Sequence, residues 1–317
     1  MRAVAFFISL YVSLSYVGAI HMPFGNIRAY KIRRDDPNVI KSRLRRVTCI
    51  SALNLILVPL FISVFGQISF KDAALSLGLI PGAYHDDSLS RFVFDLNGYV
   101  HDTLQVLKLA SILYCGPLLD NLLYYLVVPG ENLFSPFRDL KNEVYSIWGL
   151  RNYVFGPLSE ELFFTSFMVN SILLTQPHST AFKTVLWISP LFFGLAHVHH
   201  GWEMHSIGLY SPVQILATVA LQFTYTTIFG AFTNFVFLRS GRNLWACVAL
   251  HTFANYMGLP QGSELAVWLE ENYKKVALRS FLGSIFKYAY VALLVLGIVG
   301  FKNNIYALTD SKYAVEV

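Results

Sequence analysis

Apolar runs as long as a bilayer is thick recur from one end of this chain to the other. A spanning helix needs about 20 predominantly apolar residues. About eight stretches qualify or come close: residues 4–20, 47–65, 103–128, 153–174, 181–197, 213–238, 244–259 and 281–301. Charge is scarce as well. Only 14% of the 317 residues are Asp, Glu, Lys or Arg, against about 25% in average soluble chains. The mean hydropathy is +0.50, which excludes a disordered chain. A single-span receptor is excluded because the runs reach both ends. A β-barrel would alternate apolar and polar residues, and these runs are continuous. The expectation is an all-α, polytopic integral membrane protein of about eight transmembrane helices. With no long linker, repeat or low-complexity tract, it reads as a single transmembrane domain over residues 1–317.

The first run also reads as a signal peptide, with Arg2 before an apolar core and Val17-Gly18-Ala19 as a cleavage site. A retained span is the expectation. The loop after it carries Arg28, Lys31, Arg33, Arg34, Lys41, Arg43, Arg45 and Arg46. The positive-inside rule puts that loop in the cytosol. Alternation then makes 129–151 and 260–280 cytosolic, with Arg138, Lys141, Arg151, Lys274, Lys275 and Arg279. Arg239 and Arg242 fall on the lumenal side, against the rule. The net charge of +5 therefore marks membrane edges and not a nucleic-acid partner. Residues 137–148 mix charged and apolar positions as an amphipathic helix does. Cys49, Cys115 and Cys247 sit in apolar stretches without CxxC spacing, which argues for buried thiols over disulfides or a cysteine zinc site.

Ionisable residues inside spanning helices are costly and usually functional. Glu160-Glu161 lie in the fourth run and point about 100° apart on an α-helix. His197 ends the fifth run, followed by His199 and His200, which read as interfacial. His251 and Asn255, four apart, share one helix face in the seventh. In the inferred orientation all these groups fall in the cytosolic half, with Glu160 about 10 Å deep at 1.5 Å per residue.

A carboxylate, two imidazoles and an amide around a wet cavity suit water activation and oxyanion binding. Peptide hydrolysis inside the membrane is the reaction class these groups fit. Three alternatives stay open on the residues alone. Glu160, His197 and His251 could hold a zinc ion with an open water position, although HExxH is absent. Cys247, one turn before His251, could act as a nucleophile. Glu and His in spans also occur in transporters, but internal repeats, common in transporters, are not seen.

The three polar places resemble the motifs of the type II CAAX prenyl endopeptidase family, within the CAAX-processing and bacteriocin-immunity group of membrane proteases. They read Glu160-Glu161-Leu162-Phe163-Phe164-Thr165, Phe193-Gly194-Leu195-Ala196-His197 and His251-Thr252-Phe253-Ala254-Asn255. Gly156-Pro157 precedes the first and His199-His200 follows the second. The motif-bearing core spans about residues 151–258. The resemblance implies Glu160 as general base, holding the attacking water with His197, and His251 and Asn255 as oxyanion ligands. Glu161 would support the site, with no metal or other cofactor. It implies prenylated CAAX proteins as partners, loss of their last three residues, and residence in the endoplasmic reticulum membrane with the site toward the cytosol. A non-catalytic scaffold of the same fold is the remaining alternative.

One position departs from the family motif, where Thr165 replaces an Arg. Glu161 is then neutral, hydrogen-bonded by Thr165, or paired with another helix. Ala254 offers no thiol beside Asn255. The aromatic residues Phe223, Tyr225, Phe229 and Phe232 of the sixth run are a candidate wall for a prenyl chain, or ordinary helix packing.

Overall fold

The computed structural model describes residues 2–21, 35–86, 88–272 and 276–315. Arg28, Lys31, Arg33, Arg34, Lys274 and Lys275 of the basic loops lie outside the described residues. The chain opens with α1 (Ala3–His21), α2 (Pro37–Gly66) and the short α3 (Phe70–Leu75). Asp36 starts α2 by accepting from the amides of Asn38 and Val39, with Pro37 in the first turn, where its missing N–H costs nothing. An antiparallel hairpin follows, β1 (Ala83–Asp86) on β2 (Arg91–Phe94), with Ala83 opposite Phe94 and Asp86 opposite Arg91. This small sheet interrupts the all-helical pattern expected from the apolar runs.

Next come α4 (Leu96–Leu113), α5 (Cys115–Val127) and α6 (Ser135–Val144). The amphipathic reading of residues 137–148 corresponds to α6 and the turn after it. Phe137 is exposed there, and Arg138 pairs with Glu131 and Asp139, each at 3.0 Å. The stretch expected as the fourth span is one helical run made of alternating turns. It comprises α7 (Ile147–Gly149), a π-helical stretch Leu150–Phe155, α8 (Gly156–Glu160), a second π stretch Glu161–Phe167, and α9 (Met168–Thr175). Pro177 then separates it from α10 (His178–Lys183), a π stretch Thr184–Ile188, α11 (Ser189–His197) and α12 (His199–Ile207). The rest is α13 (Pro212–Arg239), α14 (Leu244–Met257), α15 (Glu264–Asn272) and α16 (Val276–Asn304).

Five of the described helices are long and apolar enough to cross a membrane, or six if α4 and α5 form one broken span bent by 80°. The chain is thus a helical, polytopic membrane protein, but by this measure the expected eight spans are not reached. Two of the missing ones carry the polar motifs. Residues 147–175 are divided into short α and π pieces, and α14 has only 14 residues. The second π stretch, Glu161–Phe167, and the first half of α14 are buried inside the bundle, where irregular backbone is covered by protein, whereas Leu150–Phe155 has no buried residue.

The core is aromatic and close-packed. Phe163, Phe167, Met168 and Ile172 meet Val236, Phe237 and Leu238 of α13 and Leu244 and Cys247 of α14. Apolar side chains gain little from leaving lipid, so close approach and interhelical hydrogen bonds hold such a bundle. At Gly194 on α11 an added Cβ would sit 2.2 Å from Thr227 Oγ1 and 3.0 Å from the Phe223 ring on α13. Asn243 starts α14: its Oδ1 accepts from the Ala246 amide at 2.9 Å, and its Nδ2 donates to the Tyr99 carbonyl at 3.1 Å. That single side chain begins the His251 helix and ties it to α4.

The first run is a working part of this bundle. Ala5, Ile8, Val12 and Tyr16 of α1 are buried, and α1 packs on α2, α9, α11 and the Glu161–Phe167 stretch. The Tyr16 hydroxyl is 3.1 Å from Ser159 Oγ, and its ring lies 4.9 Å from that of Phe163. Cleavage as a signal peptide would remove this wall. At the opposite end of the bundle Arg239, which ran against the charge rule, pairs with Asp310 at 2.6 Å.

Candidate active site

The two adjacent glutamates take different surroundings, as expected from their divergent directions. Glu161 is 2% exposed, and the Glu160 side chain is 23% exposed. Yet both converge on one ring. His251 Nδ1 lies 2.7 Å from Glu161 Oε1, and His251 Nε2 lies 3.7 Å from Glu160 Oε2. The first is a hydrogen bond; the second is too long for one. An ionised carboxylate only accepts, so Nδ1 carries the proton toward Glu161 and Nε2 is turned toward Glu160.

Two of the alternatives left open at Thr165 are realised together. The Thr165 hydroxyl donates to Glu161 Oε2 at 2.6 Å, one turn along the same run. Its oxygen also lies 3.3 Å from Thr233 Oγ1 on α13. Glu161 is therefore hydrogen-bonded by Thr165 and paired with a second helix through His251. Thr233 was not singled out in the sequence, because a threonine in an apolar helix is ordinary.

His197 closes α11. Its Nδ1 donates to the Phe193 carbonyl at 2.8 Å, one turn back, and its ring stands edge-on to Phe193 at 4.7 Å. This fixes the ring and leaves Nε2 for a ligand. Glu160 and His251 both lie within electrostatic reach of it. Phe193 thus orients its own motif partner, which gives the Phe-x-x-x-His spacing a physical reason.

Asn255 is exposed, in the last turn of α14. Its Nδ2 donates to the Asn152 carbonyl at 2.9 Å, and Thr252 Oγ1 donates to the Tyr153 carbonyl at 2.8 Å. Both acceptors lie in the π stretch Leu150–Phe155, where the wider hydrogen-bond register interrupts the regular ladder. The π turn and α14 thereby lock to each other, and Asn255 keeps one amide hydrogen for another acceptor. Tyr153 also hydrogen-bonds Glu143 on α6.

Of the aromatic wall expected from α13, Phe229 reaches the site, its ring 4.9 Å from His251. Phe223 lies on α11 at Gly194, Tyr225 is exposed, and Phe232 meets Phe301 of α16 at 5.2 Å. The helical period sends four near neighbours to different faces. Of the three cysteines expected as buried thiols, Cys247 is fully buried, with its thiol toward the Thr233 carbonyl at 3.5 Å, while Cys115 is half-buried and Cys49 exposed.

Comparison with known proteins bears on these motifs directly. The family model described as Type II CAAX prenyl endopeptidase Rce1-like matches residues 142–257, which contain Glu160, Glu161, His197, His251 and Asn255. The chain is 39% identical over 314 residues to CAAX prenyl protease 2 of Saccharomyces cerevisiae, covering 96% of each chain. The chain belongs to the type II CAAX prenyl endopeptidase family. A CAAX prenyl protease 2 of Homo sapiens is 32% identical over 259 residues, 81% of this chain and 71% of that one. The Arabidopsis thaliana protein of the same name is 32% identical over 218 residues, 64% of this chain and 62% of that one. No solved structure matches. Within this CAAX endopeptidase the family match takes in the π-broken run, α11, α13 and α14, the pieces that build the site.

Proposed function

We propose that this chain is an intramembrane endopeptidase that removes the last three residues from prenylated CAAX proteins. The family assignment supplies the substrate class; the single observation that carries the chemistry is the His251 ring held between Glu161 and Glu160. Among the described residues Glu160 accepts no protein hydrogen bond, so its carboxylate is available to a water. His197 Nε2, left open by the Phe193 bond, is the second group for that water.

In this reading Glu160 takes a proton from water, and the oxygen attacks the carbonyl of the prenylcysteine. The carbonyl oxygen becomes an oxyanion, bound by His251 Nε2–H and the remaining amide hydrogen of Asn255. For His251 to donate from Nε2 as well as Nδ1, the ring carries both protons, and Glu161 supplies the counter-charge. Collapse breaks the C–N bond, and the proton held by Glu160 passes to the leaving amine. The products are a prenylcysteine carboxylate and a free tripeptide.

The zinc-dependent version of this reaction would use Glu160, His197 and His251 as ligands, and sensitivity to a chelator separates it from the present reading. We place the site toward the cytosolic side of the endoplasmic reticulum membrane. Support comes from Lys41, Arg43, Arg45 and Arg46 at the start of α2, since Arg43 pairs with Glu203 at 2.6 Å just beyond His197.

The test is release of the tripeptide from a farnesylated CAAX peptide by protein in liposomes, followed by mass spectrometry. Release that needs Glu160 and survives a strong chelator supports the reading. Release abolished by chelator and restored by zinc replaces it with a metalloprotease. No release from folded protein leaves the scaffold.

A further inference from the structure

The cytosolic end of the bundle carries a second histidine cluster that the proposed hydrolysis does not use. His199 and Glu203 are four apart on α12 and therefore share a face. His21, the last residue of α1, meets them: its ring lies 4.7 Å from that of His199. One donor atom from each of His21, His199 and Glu203 comes within 4.8 Å of the other two. We propose that these three side chains bind one divalent transition-metal ion, of the zinc class, and so clamp the end of α1 to α12.

The orientation of the ligands supports this. His199 Nδ1 is hydrogen-bonded to the Ala196 carbonyl at 2.5 Å, which fixes the tautomer and turns Nε2 outward. Metal-binding histidines usually hold their second nitrogen in this way, and ligating carboxylates are usually hydrogen-bonded in turn. Glu203 meets that second condition: Oε2 lies 3.1 Å from His200 Nδ1 and Oε1 accepts from Arg43 at 2.6 Å. A carboxylate offers about four lone-pair directions, so both bonds leave room for an ion. Zn–N bonds of about 2.0–2.1 Å place tetrahedral ligand atoms about 3.3 Å apart. Side-chain rotation can bring donor atoms that already lie within 4.8 Å of one another to that spacing.

The donor atoms select the kind of ion. Calcium and magnesium need several oxygen ligands, and Glu203 is the one carboxylate among the three side chains. Two imidazoles favour a borderline ion with real affinity for nitrogen. The cluster is separate from the proposed hydrolytic groups but near them, since the His197 and His200 rings are 6.0 Å apart. Its test therefore reads metal binding and not activity.

The full-length protein in detergent is titrated with Co²⁺, whose visible absorption reports nitrogen and oxygen ligands in a low-coordinate site, and Zn²⁺ is then added to displace it. The expected result is one saturable equivalent, with affinity at least about tenfold lower in His21→Ala, His199→Ala and Glu203→Gln. His205→Ala, on the exposed side of α12, is expected to bind like the parent. Zn²⁺ is also expected to raise the melting temperature of the parent and not of His199→Ala. His199→Gln serves if the alanine variant does not stay monodisperse. The proposal is overturned by the absence of a saturable band, or by a band that survives the paired loss of His21 and His199. A band lost in His251→Ala but kept in His199→Ala overturns it too, and moves the ion to the hydrolytic groups.

Discussion

Glu161 and His251, 90 positions apart in the chain, form a 2.7 Å hydrogen bond with both side chains almost wholly buried. A buried charge-bearing group that loses its partner costs about 3–5 kcal/mol, so removing either side chain should destabilise the packing of the π-broken helix on α14. It also decides which nitrogen of His251 faces the mouth. Glu161→Ala is expected to lower kcat for peptide cleavage by about 10²-fold or more, the size of losing one oxyanion donor. KM should change little, because the substrate-facing surface stays. Glu161→Gln keeps an acceptor oxygen for Nδ1 and should recover part of the loss. Equal kcat in parent and Glu161→Ala, measured on farnesylated peptide, would remove Glu161 from the mechanism.

Thr165 is tested by shape. Thr165→Val keeps the volume but deletes the donor to Glu161 Oε2. Leaving a buried acceptor short costs about 1–3 kcal/mol. A lower melting temperature is expected for Val and near-parental behaviour for Thr165→Ser. If Val and Ser melt together, the hydroxyl bond contributes nothing.

Glu160 should separate activity from stability. Its carboxylate is partly exposed and makes no protein hydrogen bond among the described residues. Glu160→Gln is expected to reduce tripeptide release by at least about 10²–10⁴-fold, the range for a lost general base, without lowering the melting temperature. Activity within a few-fold of the parent would show that another group takes the proton.

Gly194 sets the spacing between α11 and α13. A methyl group there meets Thr227 Oγ1 at 2.2 Å. Gly194→Ala should therefore cost about 1–3 kcal/mol as overpacking and displace His197, three residues on. Among the described residues Thr227 Oγ1 is buried without a hydrogen-bond partner, so Thr227→Ala alone should be mild. The double variant should melt above Gly194→Ala, a coupling expected of contacting residues. Additive losses would place the strain elsewhere.

Cys247→Ala should leave cleavage unchanged, and Cys247 in the folded parent should resist alkylation, since its thiol is fully buried against the Thr233 carbonyl. Loss of activity by alkylation of this residue in folded protein would reopen a cysteine route.

Which parts of this were legible in the sequence follows from physical range. Helices long enough to span announce themselves through their own apolar runs, so α1, α2, α13 and α16 could be placed from composition. The helices of the site could not, because α14 is short and residues 147–175 mix α and π turns, and neither feature has a clear sequence mark. Glu160, His197 and His251 stood out because charge in an apolar run is costly. Their neighbours did not. Thr233 and Tyr16 touch the site from helices distant in sequence, and nothing in their own surroundings sets them apart. Asn255 was expected as an oxyanion ligand, and its bond to the Asn152 carbonyl depends on a π turn that no residue pattern showed. His199 reads as interfacial in the sequence because it lies just past an apolar run, and its neighbour His21 is at the end of another helix.

The 90-residue distance between Glu161 and His251 also has a meaning in time. At about 5–20 residues per second, the membrane receives this carboxylate roughly 5–20 seconds before the imidazole that will hold it. Throughout that interval the half-made bundle contains a charge without its partner and no assembled protease. A chain stopped before Leu244 keeps the first condition permanently. In a pulse-chase comparison it should be cleared faster than one stopped after Met257, and equal lifetimes would mean that the nascent bundle satisfies Glu161 by other means. Synthesis order thus withholds His251 and Asn255 from Glu160 and His197 until about four-fifths of the 317 residues are made.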